Sequence, residues 1–462
     1  MPLIGTTGAA SAKGFGFFAG PTGAPSFLGR LSSPNSIYQN NPPASAADTE
    51  SNVIFVTGRY IFKYAASGAV IWGYIFSTSV ELFGVVTDSS NNIYVVGRSN
   101  NDGFIAQLNS SGAIQWQKTQ NPGTSTAGYA RNMRWRSVLI DSSGNVNVVG
   151  TYNDNVAYTF CGCEGPITIP YDNGFIATAK YNSSGVFQWG RKFGLTSLAV
   201  GPSLAGFGVS LDGSGNIYAS GSAENTSGNK TMPVLKYNSS GTQQWGYMYR
   251  NDGGTTTQDQ GKIVTDSSGN SYVISTAIYG PASLFKIDTS GTLQWGKSFV
   301  PNMYGIAIDP SGTDIYVAGR VTLGSPYFEQ AMLAKISSAG NIQFVRSLGT
   351  TDSAGVAEDA RCLALSPDSN MVFAGPTGSG PISGLSGKLK TTGAGLGTYT
   401  VQSRSYVYAT NASTLTAQTY TRYAATATYG STSSDTALVV TEATSAFTLT
   451  SQAQTYASTV VA

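Results

Sequence analysis

The chain has 462 residues, room for one large β domain with appendages, and only 11% of them are charged, against ~25% in ordinary soluble domains. Its 26 basic and 24 acidic side chains form no run or patch, which excludes a field for nucleic acid or an acidic membrane. The count of 0 histidines excludes a Ser-His-Asp triad, a Cys-His pair and imidazole zinc ligation.

In chain order, Met1–Gly20 has neither a basic start nor a continuous apolar stretch, so no secretory signal is expected. Residues 1–43 are Gly/Ala/Phe-rich and non-repetitive, and read as a small N-terminal anchor segment. From Ser45 onwards a two-strand element recurs: Ser45–Gly58, Gly84–Gly97, Ser137–Gly150, Gly208–Gly221, Lys262–Ser275, Gly305–Gly319 and Cys362–Gly375. Each copy is a pair of short apolar strands joined by a turn of the Asp-Ser-Ser-Gly-Asn type. A second hairpin follows most copies, at Lys63–Gly73, Gln107–Gln117, Lys180–Gly190, Lys236–Gly246, Lys286–Gly296 and Lys335–Val345. Its Gly takes the positive φ of the turn, and an aromatic stands four residues further on. One such unit, with strands A to D, cannot bury its own apolar faces, so recurrence implies a shared core.

Counting by the turn acid (Asp48, Asp88, Asp141, Asp212, Asp266, Asp309, with Ser366 in the same place) gives seven units. Four-stranded units of this length predict an all-β, seven-bladed β-propeller over residues 44–401. In the seventh unit Lys388–Gly393 is kept and Gly397 falls where the aromatic would stand, so its last strand is expected there. Ring closure is left open between no exchanged strand and an edge supplied by Phe27–Tyr38. Residues 402–462 are rich in Thr, Ala, Ser and Tyr and read as a β-rich C-terminal extension. With few large apolar residues it needs the propeller, a sister chain or a particle to pack against.

The A–B and C–D turns are short and alike, whereas the variable connections are all B–C or D–A and therefore share one rim. Length variation marks that rim as the place for a ligand site. Its candidate binding residues are Tyr129, Arg134, Trp135, Tyr152, Tyr158, Phe160, Tyr171, Tyr327 and Phe328. Trp135 stands outside the aromatic register, in a D–A loop beside Arg131, Arg134 and Arg136. The repeat-spaced Trp72, Trp116, Trp189, Trp245 and Trp295 read as wedges between blades, and the turn aspartates as caps of their own turns. No catalytic residue is assigned, because no spacing among rim acids such as Asp154, Glu329, Glu358 and Asp359 selects a pair. No cofactor or metal site is expected. Cys161, Cys163 and Cys362 read as free thiols.

Tyr304–Gly319 and Gly174–Phe193 resemble the SBBP-type β-propeller repeat, and more distantly the NHL and PQQ-type repeats, with the likeness spanning about residues 44–401. The resemblance implies the fold and leaves function open, since such propellers serve as enzymes, binders and spacers. Ile4–Gly16 resembles the N-terminus of tail and structural proteins of marine bacteriophages. That implies a virion protein made in the host cytoplasm: a tail fibre, spike or surface appendage that displays the propeller for host attachment. Expected partners are other virion proteins, sister chains in a homo-oligomer, and a host-surface glycan or protein, with no nucleic acid and no membrane insertion. Two alternatives are a polysaccharide-degrading or carbohydrate-binding surface propeller, and a virion decoration or tail component without adhesive role.

Overall fold

A computed structural model describes residues 27–32, 43–123, 130–162, 165–196, 203–224, 230–251, 258–277, 282–299, 302–323, 328–350, 358–377, 383–394, 397–401, 404–410, 415–417, 420–424, 432–437 and 441–444. They form seven antiparallel sheets arranged as the blades of a closed β-propeller. Blade 2 shows the plan, with strands A to D at Val80–Thr87, Ile93–Ser99, Asp102–Leu108 and Ile114–Asn121. Strand A is innermost, and the A strands of neighbouring blades touch all the way round, including those of blades 1 and 7.

Alternating side chains send apolar groups to both faces of every blade, so each sheet needs a neighbour on either side. In blade 1 all five residues of Val53–Thr57 are buried. The buried apolar residues fall into seven clusters, one at each junction between blades. Phe55 and Tyr64 of blade 1 pack with Val372 of blade 7, which carries the core across the closing junction.

The turns recur because one carboxylate or amide organises each. Asp88 Oδ1 accepts the backbone N–H groups of Ser90 and Asn92, both at 2.9 Å, and Oδ2 accepts the Asn92 amide at 2.9 Å. Asn238 does the same for Ser240 and Thr242 in a C–D turn, at 3.1 and 2.8 Å. A strand C lysine then closes several A–B turns: Lys63–Asp48, Lys180–Asp141 and Lys335–Asp314, each at 2.9 Å. Burial would raise the Asp141 carboxyl, but the Asn145 and Lys180 hydrogen bonds outweigh it and hold the group below its ordinary range.

The aromatic of strand D stands where the next blade's C–D turn arrives. Trp189 Nε1–H donates to the Ser239 carbonyl at 3.1 Å. A Cβ on Gly241 would come within 2.5 Å of the Trp189 ring, and its φ of +80° already disfavours a side chain. Trp72, Trp116, Trp245 and Trp295 make the same contact with Ser110, Ser183, Thr289 and Ser338, at 3.0 to 3.2 Å. The repeat-spaced tryptophans therefore sit between blades.

The first and the last described strands both lie on outer edges. Blade 7 takes A, B and C from Cys362–Ser366, Asn370–Thr377 and Ser383–Lys390, and its outer strand is Phe27–Ser32, paired from Phe27↔Lys388 to Ser32↔Ser383. The seventh unit's last strand is thus supplied from the N-terminal segment rather than from residues near Gly397. Gly397–Val401 instead pairs with Arg404–Thr410, which forms the fifth strand of blade 6. The tail then runs back round the ring, adding Leu415–Ala417 to blade 5, Tyr420–Ala424 to blade 4, Thr432–Ala437 to blade 3 and Thr441–Thr444 to blade 2. Main-chain ladders need few large apolar residues, which accounts for a Thr/Ser/Ala/Tyr tail that could not make a core of its own.

Candidate functional site: loop rim, β-arm and axial channel

On the rim of the A–B and C–D turns, the turn acids and amides, the strand C lysines and the strand D tryptophans are engaged in the bonds described above. The opposite rim carries the B–C and D–A connections, and its largest feature comes from blade 3. Strands B and C there are 17 residues each, Val146–Gly162 and Gly165–Tyr181, paired out to Gly162↔Gly165. Strand A stops pairing at Asn132↔Asn153 and strand D at Ile176↔Phe193. From Asp154↔Asn173 outwards the ladder therefore has two strands, an arm about 30 Å long at the usual rise per residue. The opposed pairs Val156↔Tyr171, Tyr158↔Ile169 and Phe160↔Ile167 are two residues apart, so these six positions share one face of the arm. The register thus brings together the candidates Tyr158, Phe160 and Tyr171. Their side chains, and that of Phe328, which starts strand C of blade 6, fall outside what is described, as do residues Tyr129 and Tyr327 entirely.

At the arm's root, Arg131 pairs with Asp154 at 2.7 Å, and Lys192 lies over the rings of Tyr152 and Phe175 at 4.9 and 5.0 Å. Tyr152 is 3% exposed, and burial, with Asp154 beside it, pushes its phenol up to about 12. It anchors the arm and offers no surface to a ligand. Arg134 is half-buried on strand A of blade 3.

Trp135 also departs from expectation. It lies on strand A of blade 3 (Asn132–Ile140) rather than in a loop, is 0% exposed, and donates its Nε1–H to Gln120 Oε1 at 2.8 Å. The pairing shifts between Trp135 and Ser137. This bulge inserts Arg136 as an extra residue and leaves Trp135 in the junction with blade 2.

The same shift recurs between Leu82 and Gly84, Gly206 and Gly208, and Met303 and Gly305. The extra residues are Phe83, Phe207 and Tyr304, each five positions before its turn acid, as is Arg136. They form a collar round the axis. The Arg136 guanidinium lies between Phe207 at 4.6 Å and Phe83 at 5.7 Å, and Arg361 lies over Tyr304 at 5.5 Å. Aligning the strands on the turn acid would have exposed this ring in the sequence. Searching the loops could not.

Beside the collar, Arg320 bridges Glu329 at 2.9 Å and Asp359 at 3.6 Å, and Arg361 holds Asp359 at 2.9 Å. The structure thus gathers Glu329 and Asp359 around arginines. Burial, then Asp359, raises the Tyr304 phenol.

From Arg136, Phe83 and Phe207 towards the turns runs an axial cavity of about 500 Å³, lined by the A strands of all seven blades. Lys262 faces it, and burial lowers its ammonium from the ordinary 10.5 to about 8. The folded chain thus releases this proton from about pH 8 and the unfolded chain only near 10.5, so the penalty is full below pH 8 and fades through that window. Lys262→Met is accordingly expected to raise stability near neutrality by about 1–3 kcal/mol. In chemical unfolding across pH the advantage should vanish in alkali, and a variant less stable at neutral pH would contradict this.

These features define a β-propeller repeat protein with an armed loop rim and an axial cavity. Residues 77–105, which span strands A and B and the start of C in blade 2, match the family model described as SBBP, a beta-propeller repeat. No curated protein matches the chain. Among solved structures it is similar to the WD40 beta propeller domain of Doa1, at 12% identity over 78% of this chain and 96% of that one, TM-score 0.45. It is also similar to a streptogramin B lyase, at 12% identity over 78% and 97%, TM-score 0.46. A third is a gluconolactonase from Xanthomonas campestris, at 10% identity over 66% and 94%, TM-score 0.35.

Proposed function

We propose that the chain is a bacteriophage virion protein, a tail fibre, spike or surface appendage, whose propeller presents its loop rim to a glycan or protein on the host surface. The observation that carries the binding reading is the arm of blade 3. A two-stranded ribbon is marginal in water without a packing partner, and this one sets Val156, Tyr158, Phe160, Ile167, Ile169 and Tyr171 on a single face. Aromatic residues on such a face supply contact area at low entropic cost. The opposite rim has its turn acids and tryptophans committed to holding the blades, so a partner there would have to displace structural bonds. The virion assignment is supported by the resemblance of Ile4–Gly16 to phage structural proteins and by the low charge.

Two measurements test the reading separately. Mass spectrometry of purified particles is expected to find the chain as a stoichiometric component, and its confinement to a soluble cell fraction would end the virion assignment. Replacing residues 155–172 by Asn-Gly joins the opposed pair Asp154 and Asn173 by a two-residue hairpin turn. Particles carrying this form should assemble normally and adsorb to host cells at least about tenfold more slowly. Unchanged adsorption would remove the arm from the account.

A further inference from the structure

We propose that the axial cavity binds a small hydroxylated carboxylic acid of monosaccharide size, its carboxylate held by Lys262 with Arg136 close by. The position four residues before the turn residue is small in six blades: Ala44, Gly84, Ser137, Gly208, Gly305 and Cys362. In the three glycine blades there is no room for more, since a Cβ on Gly84, Gly208 or Gly305 would come within 3.0 Å of the Arg136 carbonyl, 2.9 Å of Ile263 N and 2.9 Å of Leu363 N respectively. Blade 5 alone places a long cationic side chain at this level. Lys262 reaches across from blade 5 to blade 7, where its Nζ lies 3.5 Å from the Arg361 carbonyl, a weak contact for a group with three donors.

The contrast with other lysines of this protein is informative. Lys63, Lys180, Lys335 and Lys388 each meet a carboxylate at 2.5 to 2.9 Å. The titratable and charged groups acting on Lys262 are Cys362, Arg136 and Arg361, and the described cavity lining holds no aspartate or glutamate. Arg361 is already answered by Asp359, and Cys362, a free thiol driven up to about 11 by burial, stays neutral near pH 7. A half-buried cation with no carboxylate against it is costly and is relieved by an external negative charge. The remaining lining mixes the hydroxyls of Ser45, Ser137 and Ser210 with the half-buried Leu139, Leu211 and Val264, which suits a ligand carrying both hydroxyls and C–H faces. A cavity of about 500 Å³ lies within the usual range for small ligands.

This site is independent of what the arm contacts, so its test uses the full chain in solution. Titration calorimetry near pH 7 with D-glucuronate should show binding at one site per chain. D-glucose, which lacks the charge, and acetate, which lacks the hydroxyls, should each bind at least about tenfold more weakly. Lys262→Met should lose glucuronate binding by about tenfold or more while unfolding cooperatively, and Lys262→Arg should restore most of it. Absence of glucuronate binding, or equal binding by the wild type and Lys262→Met, would overturn the proposal. Acetate binding as tightly as glucuronate would overturn its hydroxylated-acid part.

Discussion

A chain that begins at residue 33 is expected to unfold about 5–10 °C below the intact protein. Phe27–Ser32 is the outer strand of blade 7 and pairs six residues against Ser383–Lys390. Loss of that ladder removes hydrogen bonds worth about 1 kcal/mol each and bares a strand of sequence SGLSGKLK at the point where the ring joins itself. The junction is otherwise held by the blade 1 and 7 core and by Lys388, whose Nζ donates to the Ser51 carbonyl at 3.1 Å and pairs with Asp368. The seam should therefore open first on heating. A synthetic peptide spanning residues 27–32, added in excess, should recover much of the lost stability by mass action. An unchanged melting temperature in the shortened chain would show that the ring closes without this strand.

A chain that ends at residue 396 should fold as a ring and then associate with itself at micromolar concentration. Removing the tail uncovers the outer edges of Ile114–Asn121, Phe187–Thr196, Gln243–Asn251, Leu293–Phe299 and Ile342–Thr350. Open edges of this kind template pairing with other chains. Five of them round one ring give no single closed stoichiometry, so sedimentation velocity should show a broad, concentration-dependent distribution. A monodisperse monomer with the parent's melting temperature would mean that the tail contributes nothing to the edges.

The blades were legible because their turns are chemically demanding. An Asx residue to cap, a Gly at positive φ and a Trp four residues on leave a pattern that survives the variation between copies, and Gly241 against Trp189 shows why the spacing is fixed. The tail's route was not legible, since pairing through the main chain places little demand on residue type. Edge closure by Phe27–Ser32 was one of two open possibilities for the same reason. Trp135 reads as a loop residue because a bulge breaks the period of two on which strand reading rests, and the equivalent bulges in four blades conceal the collar of Phe83, Arg136, Phe207 and Tyr304. In the sequence Tyr158, Phe160 and Tyr171 stand only as aromatics of one variable connection. That they share a face follows only from a register running out to Gly162↔Gly165.

Hydrogen exchange of the whole protein with and without isolated host cell envelope tests most directly whether the loop rim is the working surface. Exchange should slow along residues 154–173 while the turns around Asp88 and Asn238 are unaffected. Slowing confined to those turns, with the arm unchanged, would place the contact on the wrong rim and contradict the proposal.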